Sequence, residues 1–201
     1  MIITKISDGK GKKRHIYIDD EYSFSLIDSD VVYFKLKEGE EIDKDKYEFI
    51  TQTLLYMKAQ KKALKYLSHR QKSAFETEKK LSEENFSADI KERVMAFLKE
   101  YGYVDDFKYA VSYIKDCLNF NPKGKRLMAW ELKNKGIEKE CISKALDEAL
   151  IDEFYYAGKL LEKKFGRYEK ESLNYGKMEA FLTRRGYEYD VIKETITKFM
   201  E

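Results

Sequence analysis

Asp105-Asp106-Phe107-Lys108-Tyr109-Ala110 decides the fold, because it returns 47 residues on as Asp152-Glu153-Phe154-Tyr155-Tyr156-Ala157. Each copy opens a helix, with Asp105 or Asp152 placed to accept from the unsatisfied N–H groups of the first turn. A second pattern follows each copy. Glu131-Leu132-Lys133-Asn134-Lys135-Gly136-Ile137 is answered by Phe181-Leu182-Thr183-Arg184-Arg185-Gly186-Tyr187. Leu132, Gly136, Ile142 and Leu146 match Leu182, Gly186, Ile192 and Ile196 at the same internal spacing. A period of about 50 residues, three helices long, marks a tandem repeat array.

The same template fits once more upstream. Leu81 stands for Leu132, Asn85 for Gly136, Phe86 for Ile137, and Val94-Met95 for Ala145-Leu146. Asn is the next best residue after Gly for a left-handed helix C-cap, so the backbone logic survives. The predicted fold is mainly α: three tandem three-helix repeats in an elongated, curved array behind a small N-terminal β-meander. The expected bounds are 1–45 for the β-rich segment with a short helix, then 46–104, 105–151 and 152–201 for the repeats. A stack of three is about the minimum that buries a continuous core.

Composition agrees. One proline, ten glycines and 38% charged residues favour long helices over a loop-rich or all-β chain. No run approaches the roughly 20 apolar residues of a membrane span, and Met1 opens no signal-peptide pattern, so the cytoplasm is the expected location. Cys117 and Cys141 have no His or Cys at metal-ligand spacing and read as free thiols. A net charge of +2 means that any attraction to nucleic acid must come from local clusters.

Along residues 1–27, Ile2, Ile6, Ile16, Ile18, Tyr22, Phe24 and Leu26 alternate with polar neighbours at the period of two of a half-exposed strand. Gly9-Lys10-Gly11 and Asp19-Asp20 are turns between three strands. Gly11-Lys12-Lys13 lacks the Ser or Thr and the following helix of a P-loop, and reads as a basic hairpin turn. Asp28–Leu36 is a short helix. Asp45 with Glu48 forms a capping box for a long helix over Lys46–Ser68.

That helix carries the strongest charge signal. Between Phe49 and Phe75 there is no acid, while Lys58, Lys61, Lys62, Lys65, Arg70 and Lys72 are present. At 3.6 residues per turn, Lys58, Lys61, Lys62, Lys65, His69 and Lys72 share an arc of roughly 100°, provided the helix runs on to Lys72. Leu55, Ala59, Ala63, Leu64 and Leu67 occupy the core face. The stripe is either a solvated surface or a contact for phosphate or an acidic protein. In the second repeat, a helix from Pro122 to Lys135 places Trp130 near Arg126 and Lys133, either to stack on a base or a partner or to pack between repeats. Lys159 to Arg185 holds eight cations (Lys159, Lys163, Lys164, Arg167, Lys170, Lys177, Arg184, Arg185) against four acids. Arg184 and Arg185 suit the dipole at a helix C-terminus. Lys163, Lys164 and Arg167 are candidate phosphate contacts.

No catalytic constellation emerges. His15 in a strand and His69 on the basic helix are the only imidazoles available for acid–base chemistry. Asp105-Asp106 could be drawn as a metal-binding pair, but both fit capping and dipole roles. No cofactor loop or metal set is present, and a binding function is expected.

The segment Ala63-Leu64-Lys65-Tyr66-Leu67-Ser68-His69-Arg70-Gln71-Lys72-Ser73-Ala74-Phe75-Glu76 resembles the opening signature of the RecX family. The resemblance continues through Leu81, Tyr103-Val104-Asp105-Asp106, Tyr109-Ala110, Gly124-Lys125-Arg126-Leu127 and Glu131–Ile137. It covers about residues 59 to 200, and the order of the motifs is more specific than any one of them. Asn85 departs from the expected cap glycine, and Phe181 stands where Glu131 would recur. The resemblance implies a non-enzymatic regulator of the RecA recombinase, a modular helical protein lying along the RecA–DNA filament. It implies slower filament growth and lower ATP hydrolysis and strand exchange, although some members assist recombination at certain stages. Two other readings fit the residues: a stand-alone helical-repeat protein binding single- or double-stranded DNA, and a helical scaffold for an unrelated protein. No sustained heptad seam is visible, so a monomer is expected.

Overall fold

The computed structural model describes residues 1–169 and 172–201, and Lys170, one of the cations counted above, lies outside them. Two units are present: Met1–Gln71 with Thr77–Val104, and Lys72–Glu76 with Asp105–Glu201.

In the first unit, β1 (Ile3–Asp8), β2 (Lys13–Ile18) and β3 (Glu21–Ile27) form an antiparallel sheet in sequence order. Its core side is Ile3, Ile16, Ile18, Phe24 and Leu26. The alternation puts Ile2 and Tyr22 on that side, but both are exposed. Register shifts between Ile3 and Lys5, and opposite the Ile16–Tyr17 step, explain it. An extra residue reverses the phase of a strand, so Ile3 replaces Ile2 and Tyr22 faces outward opposite Tyr17.

Helix α1 (Asp28–Tyr33) follows, then α2 (Lys44–Glu48), a π-helical stretch over Phe49–Leu54 and α3 (Leu55–Leu67) in one continuous run. The cap is Asp43, whose side chain accepts from Lys46 N at 2.8 Å, and not Asp45, which lies inside the first turn. The wide turn has a local cause. Thr51 Oγ1 donates back to the Tyr47 carbonyl, and the Gln52 carbonyl takes a hydrogen bond from Arg93, whose guanidinium lies over the Tyr56 ring. Ile50, Leu55, Ala59 and Ala63 are buried, as are Ile90, Val94 and Leu98 of α5 (Ala88–Glu100), against which α3 packs. Helix α4 (Ala74–Glu83) ends at Asn85, which adopts φ 62°, the left-handed conformation expected of it.

In the second unit, α6 (Asp106–Phe120), α7 (Lys125–Asn134) and α8 (Lys139–Glu148) are repeated as α9 (Glu153–Phe165), α10 (Tyr175–Arg184) and α11 (Tyr189–Met200). The buried sets superpose in sequence. Ala110, Ile114, Met128, Leu132, Ile137 and Ile142 fill one core, and Ala157, Leu161, Met178, Leu182, Tyr187 and Ile192 fill the other. Helix α7 starts at Lys125 behind Gly124, not at Pro122. The Gly124 N–H is spent on the Arg185 carbonyl at 2.9 Å, and the residues before it run non-helical.

One coupling recurs at the start of the second helix in the first two trios. Asp105 and Asp152 cap their own helices, accepting from Lys108 N and Tyr155 N. Their neighbours do something else. Asp106 accepts from Ala74 N at 2.8 Å, and Glu153 accepts from Lys125 N at 2.9 Å. Each therefore caps the second helix of the preceding trio rather than its own. Beside each cap lies the turn that closes the next trio's second helix: Ser73 Oγ donates to the Lys135 carbonyl, and Gly124 N to the Arg185 carbonyl. In the first unit the equivalent carbonyl, that of Glu84, is taken by Lys13 Nζ of the meander at 3.2 Å. The meander thus fills the place that a preceding trio would fill. Asp106→Ala and Glu153→Ala should each cost about 1 kcal/mol in urea unfolding followed at Trp130, the sole tryptophan, which lies in this unit. A loss below about 0.3 kcal/mol for both would show that these acids do not act as caps.

Candidate functional site

Helix α3 ends at Leu67, so the stripe divides. His69 and Arg70 are exposed beyond the helix, and Lys72, only 7% exposed, leaves the accessible surface altogether. Within the helix, half of the lysines meet acids from elsewhere in the chain. Lys58 pairs with Asp30 of α1, and Lys62 Nζ lies 2.8 Å from Glu84 Oε1. Lys13 Nζ completes this second group at 2.9 Å from Glu84 Oε2. Hydrogen bonds from Lys13 and Lys62, with their charge, pull the Glu84 carboxyl down to about 2 against the pull of burial. Lys61 and Lys65 remain exposed and free of ion pairs among the described residues.

Helix α9 is different. Its Lys159, Lys163 and Lys164, and Arg167 just beyond its end, are all exposed, and none has a carboxylate in ion-pairing range among the described residues. The repeat shows how specific this is. At the matching positions α6 carries Ser112, Asp116, Cys117 and Phe120. The second trio therefore lacks this cationic face, whereas α3 of the first carries Lys61 and Lys65 at the positions of Lys159 and Lys163.

The surface beneath has changed with it. In α6 and α7, Lys123 Nζ lies 2.7 Å from both oxygens of Glu131, and the Tyr113 hydroxyl donates to the same carboxylate. Burial, together with that carboxylate, pushes the Tyr113 hydroxyl well up. The counterparts in the last trio are Leu173, Phe181 and Leu160, all apolar. With no acid to receive it, Lys164 Nζ lies 4.0 Å from the Phe181 ring centroid, and the Arg185 guanidinium lies 5.4 Å from it. Arg185 also donates to Asn121 Oδ1 and to the Pro122 carbonyl. It is a clamp within the unit as well as a cation at a helix end, a role that the dipole reading missed. A cleft of about 770 Å³ opens between the end of α6 and helices α9 and α10, with Leu160 and Phe181 in its lining.

Arg126 and Trp130 lie one turn apart on α7, and Trp130 is 61% exposed rather than packed between repeats. Cys117 is buried, Cys141 half-buried, and neither forms a disulfide; burial pushes both thiols up. Among the described residues no group of His, Cys, Asp or Glu could hold a metal ion, and no helix is long and apolar enough to cross a membrane. The candidate surface is thus one of cations and aromatics, suited to holding an anionic partner.

Sequence models of the RecX protein match along the chain. The regulatory protein RecX N-terminal domain matches residues 1–43, and the first, second and third RecX three-helix domains match 59–98, 105–146 and 152–196. The regulatory protein RecX of Clostridioides difficile is 36% identical, with 99% of this chain and 96% of that protein covered. That of Clostridium acetobutylicum is 34% identical, covering 96% and 94%. A crystal structure of regulatory protein RecX superposes with a TM-score of 0.67 at 28% identity, covering 98% of both chains. RecX from Lactobacillus salivarius gives 0.65 at 26% identity, covering 72% of this chain and 96% of that one. Matched from its β-meander to its last helix, this chain belongs to the RecX family of regulatory proteins.

Proposed function

We propose that this chain regulates the RecA recombinase in the cytoplasm, binding the RecA–DNA filament as a monomer and restraining its growth, ATP hydrolysis and strand exchange without chemistry of its own. The observation that carries the reading is the match to regulatory RecX proteins over nearly the whole chain. Tandem trios can engage several subunits of a polymer at once, which adds avidity to individually weak contacts. The contacts favoured by exposure are Lys61, Lys65 and Arg70 in the first unit and Arg126, Trp130, Lys163, Lys164 and Arg167 in the second. Lys58 and Lys62 already have partners within the chain.

The test is RecA ATP hydrolysis on single-stranded DNA with this protein added well below stoichiometry. A fall in rate is expected, and an unchanged rate at every dose would overturn the reading. A second reading, direct binding of DNA, draws on the exposed cations of α9 and on Arg167 just beyond it, which form no ion pairs among the described residues. It requires binding to naked DNA that weakens steeply with salt. Replacing Lys163, Lys164 and Arg167 by Gln would then lower the salt slope by about 2, at roughly 0.7–0.9 for each phosphate no longer neutralised.

A further inference from the structure

The cleft of the last trio combines two properties that the preceding trio lacks. Its floor is apolar, where the preceding trio has a tyrosine, a lysine and a glutamate joined in one hydrogen-bonded group. Its rim is cationic, where the preceding trio has Ser112, Asp116 and Cys117. Leu160 belongs to the core of the trio and Phe181 packs against it, so the apolar change also serves folding. The cations form no ion pairs among the described residues, and Phe120, at the end of α6, stands 82% exposed on the rim.

We propose that this cleft is a docking site for a short acidic segment of a partner protein. One large apolar side chain of that segment rests on Leu160 and Phe181 beneath Phe120, and flanking carboxylates meet Lys159, Lys163 and Lys164. Charge complementarity selects the acid, and the apolar floor selects the anchor. A nucleic-acid strand fits less well. Bases stack on free aromatic faces, whereas Phe181 carries Lys164 and Arg185 against its ring. Glu162, also in the lining, is available to accept from a peptide N–H. The amide of Asn121, whose oxygen receives Arg185, has its NH2 group for a peptide carbonyl.

The inference goes beyond the filament reading and is tested without any recombinase, so either can fail alone. Fluorescence anisotropy with the full chain would use a labelled short peptide of Asp and Glu around one central Phe. The controls are the same peptide with Ser in place of Phe, and labelled oligo-dT. Saturable binding of the first peptide is expected, weakened about tenfold by loss of its Phe. Phe120→Ala, a change at an exposed position, and Lys163→Glu should each weaken it by a similar factor, while Lys10→Glu, in an exposed turn of the meander, should leave it unchanged. Absence of saturable binding would overturn the proposal, as would equal binding of the Ser peptide. Tighter binding of oligo-dT with the same sensitivity to Phe120→Ala would reassign the cleft to nucleic acid.

Discussion

Gly186→Ala is expected to lower the stability of the second unit by about 3 kcal/mol. Two causes add. Gly186 sits at φ 80°, where a Cβ costs about 1 kcal/mol. A Cβ there would also run into the Cβ of Leu127 and the backbone at the start of α7. Overlap with backbone cannot relax by rotating a side chain, and it adds about 2 kcal/mol. Two other glycines separate these causes. Gly124 has an ordinary φ of −70°, so Gly124→Ala loses only the steric part, about 2 kcal/mol, against the Gly186 carbonyl. Gly102 has φ 69°, and a methyl group there would meet no atom within 4 Å, so Gly102→Ala loses only the conformational part, about 1 kcal/mol. Urea unfolding of the three variants gives the order directly. Equal losses at all three positions would show that the close approach of Gly124 to Gly186 does not hold this unit together.

Glu84→Gln should destabilise the first unit by about 1–2 kcal/mol at neutral pH, with a distinctive acid dependence. The carboxyl moves from an ordinary 4.5 to about 2 because Lys13 and Lys62 both hydrogen-bond to it. With 18% of the side chain exposed, solvent screens part of the energy implied by that shift, which is why the figure stays low. A carboxyl whose folded value is depressed contributes fully above the unfolded value and loses its contribution as pH falls toward the folded one. The difference between wild type and variant should therefore shrink between about pH 4.5 and about pH 2. Hydrogen–deuterium exchange in β2 and α4, followed over that range, measures it. A difference that grows in acid would mean that the two lysines do not hold Glu84.

What could be read from sequence was whatever is periodic along one chain segment. The Leu132/Leu182 and Gly136/Gly186 pairs, the Asp105 and Asp152 caps and the left-handed Asn85 all depend on local backbone geometry, and local geometry leaves a spacing behind. Pairing across the fold leaves none. Asp30 and Glu84 are far in sequence from Lys58 and Lys62, so a stretch without acids looked uniformly available when half of it was already engaged. Asp106 and Glu153 resemble dipole residues of their own helices, and only the folded chain shows that they bond to Ala74 and Lys125. The reversals at Ile2 and Tyr22 need a single extra residue in a strand, which alternation alone cannot display. The replacement of Glu131 by Phe181 is plain in the sequence. Its meaning depends on seeing Leu160 and Leu173 change in concert, and that comparison requires helix positions fixed to the residue.

The acceptor that receives Lys13, Ser73 and Gly124 is in each case a main-chain oxygen, and the donors are an ammonium, a hydroxyl and an amide. An attachment point made of peptide bond is insensitive to mutation, since every residue supplies the same oxygen. Duplication or deletion of one unit during evolution therefore needs no freshly evolved seam, only a turn of the right handedness and a small residue opposite it. Outward-facing side chains are then released from any duty in assembly, and successive units can diverge toward separate tasks, as the change from Asp116 to Lys163 shows.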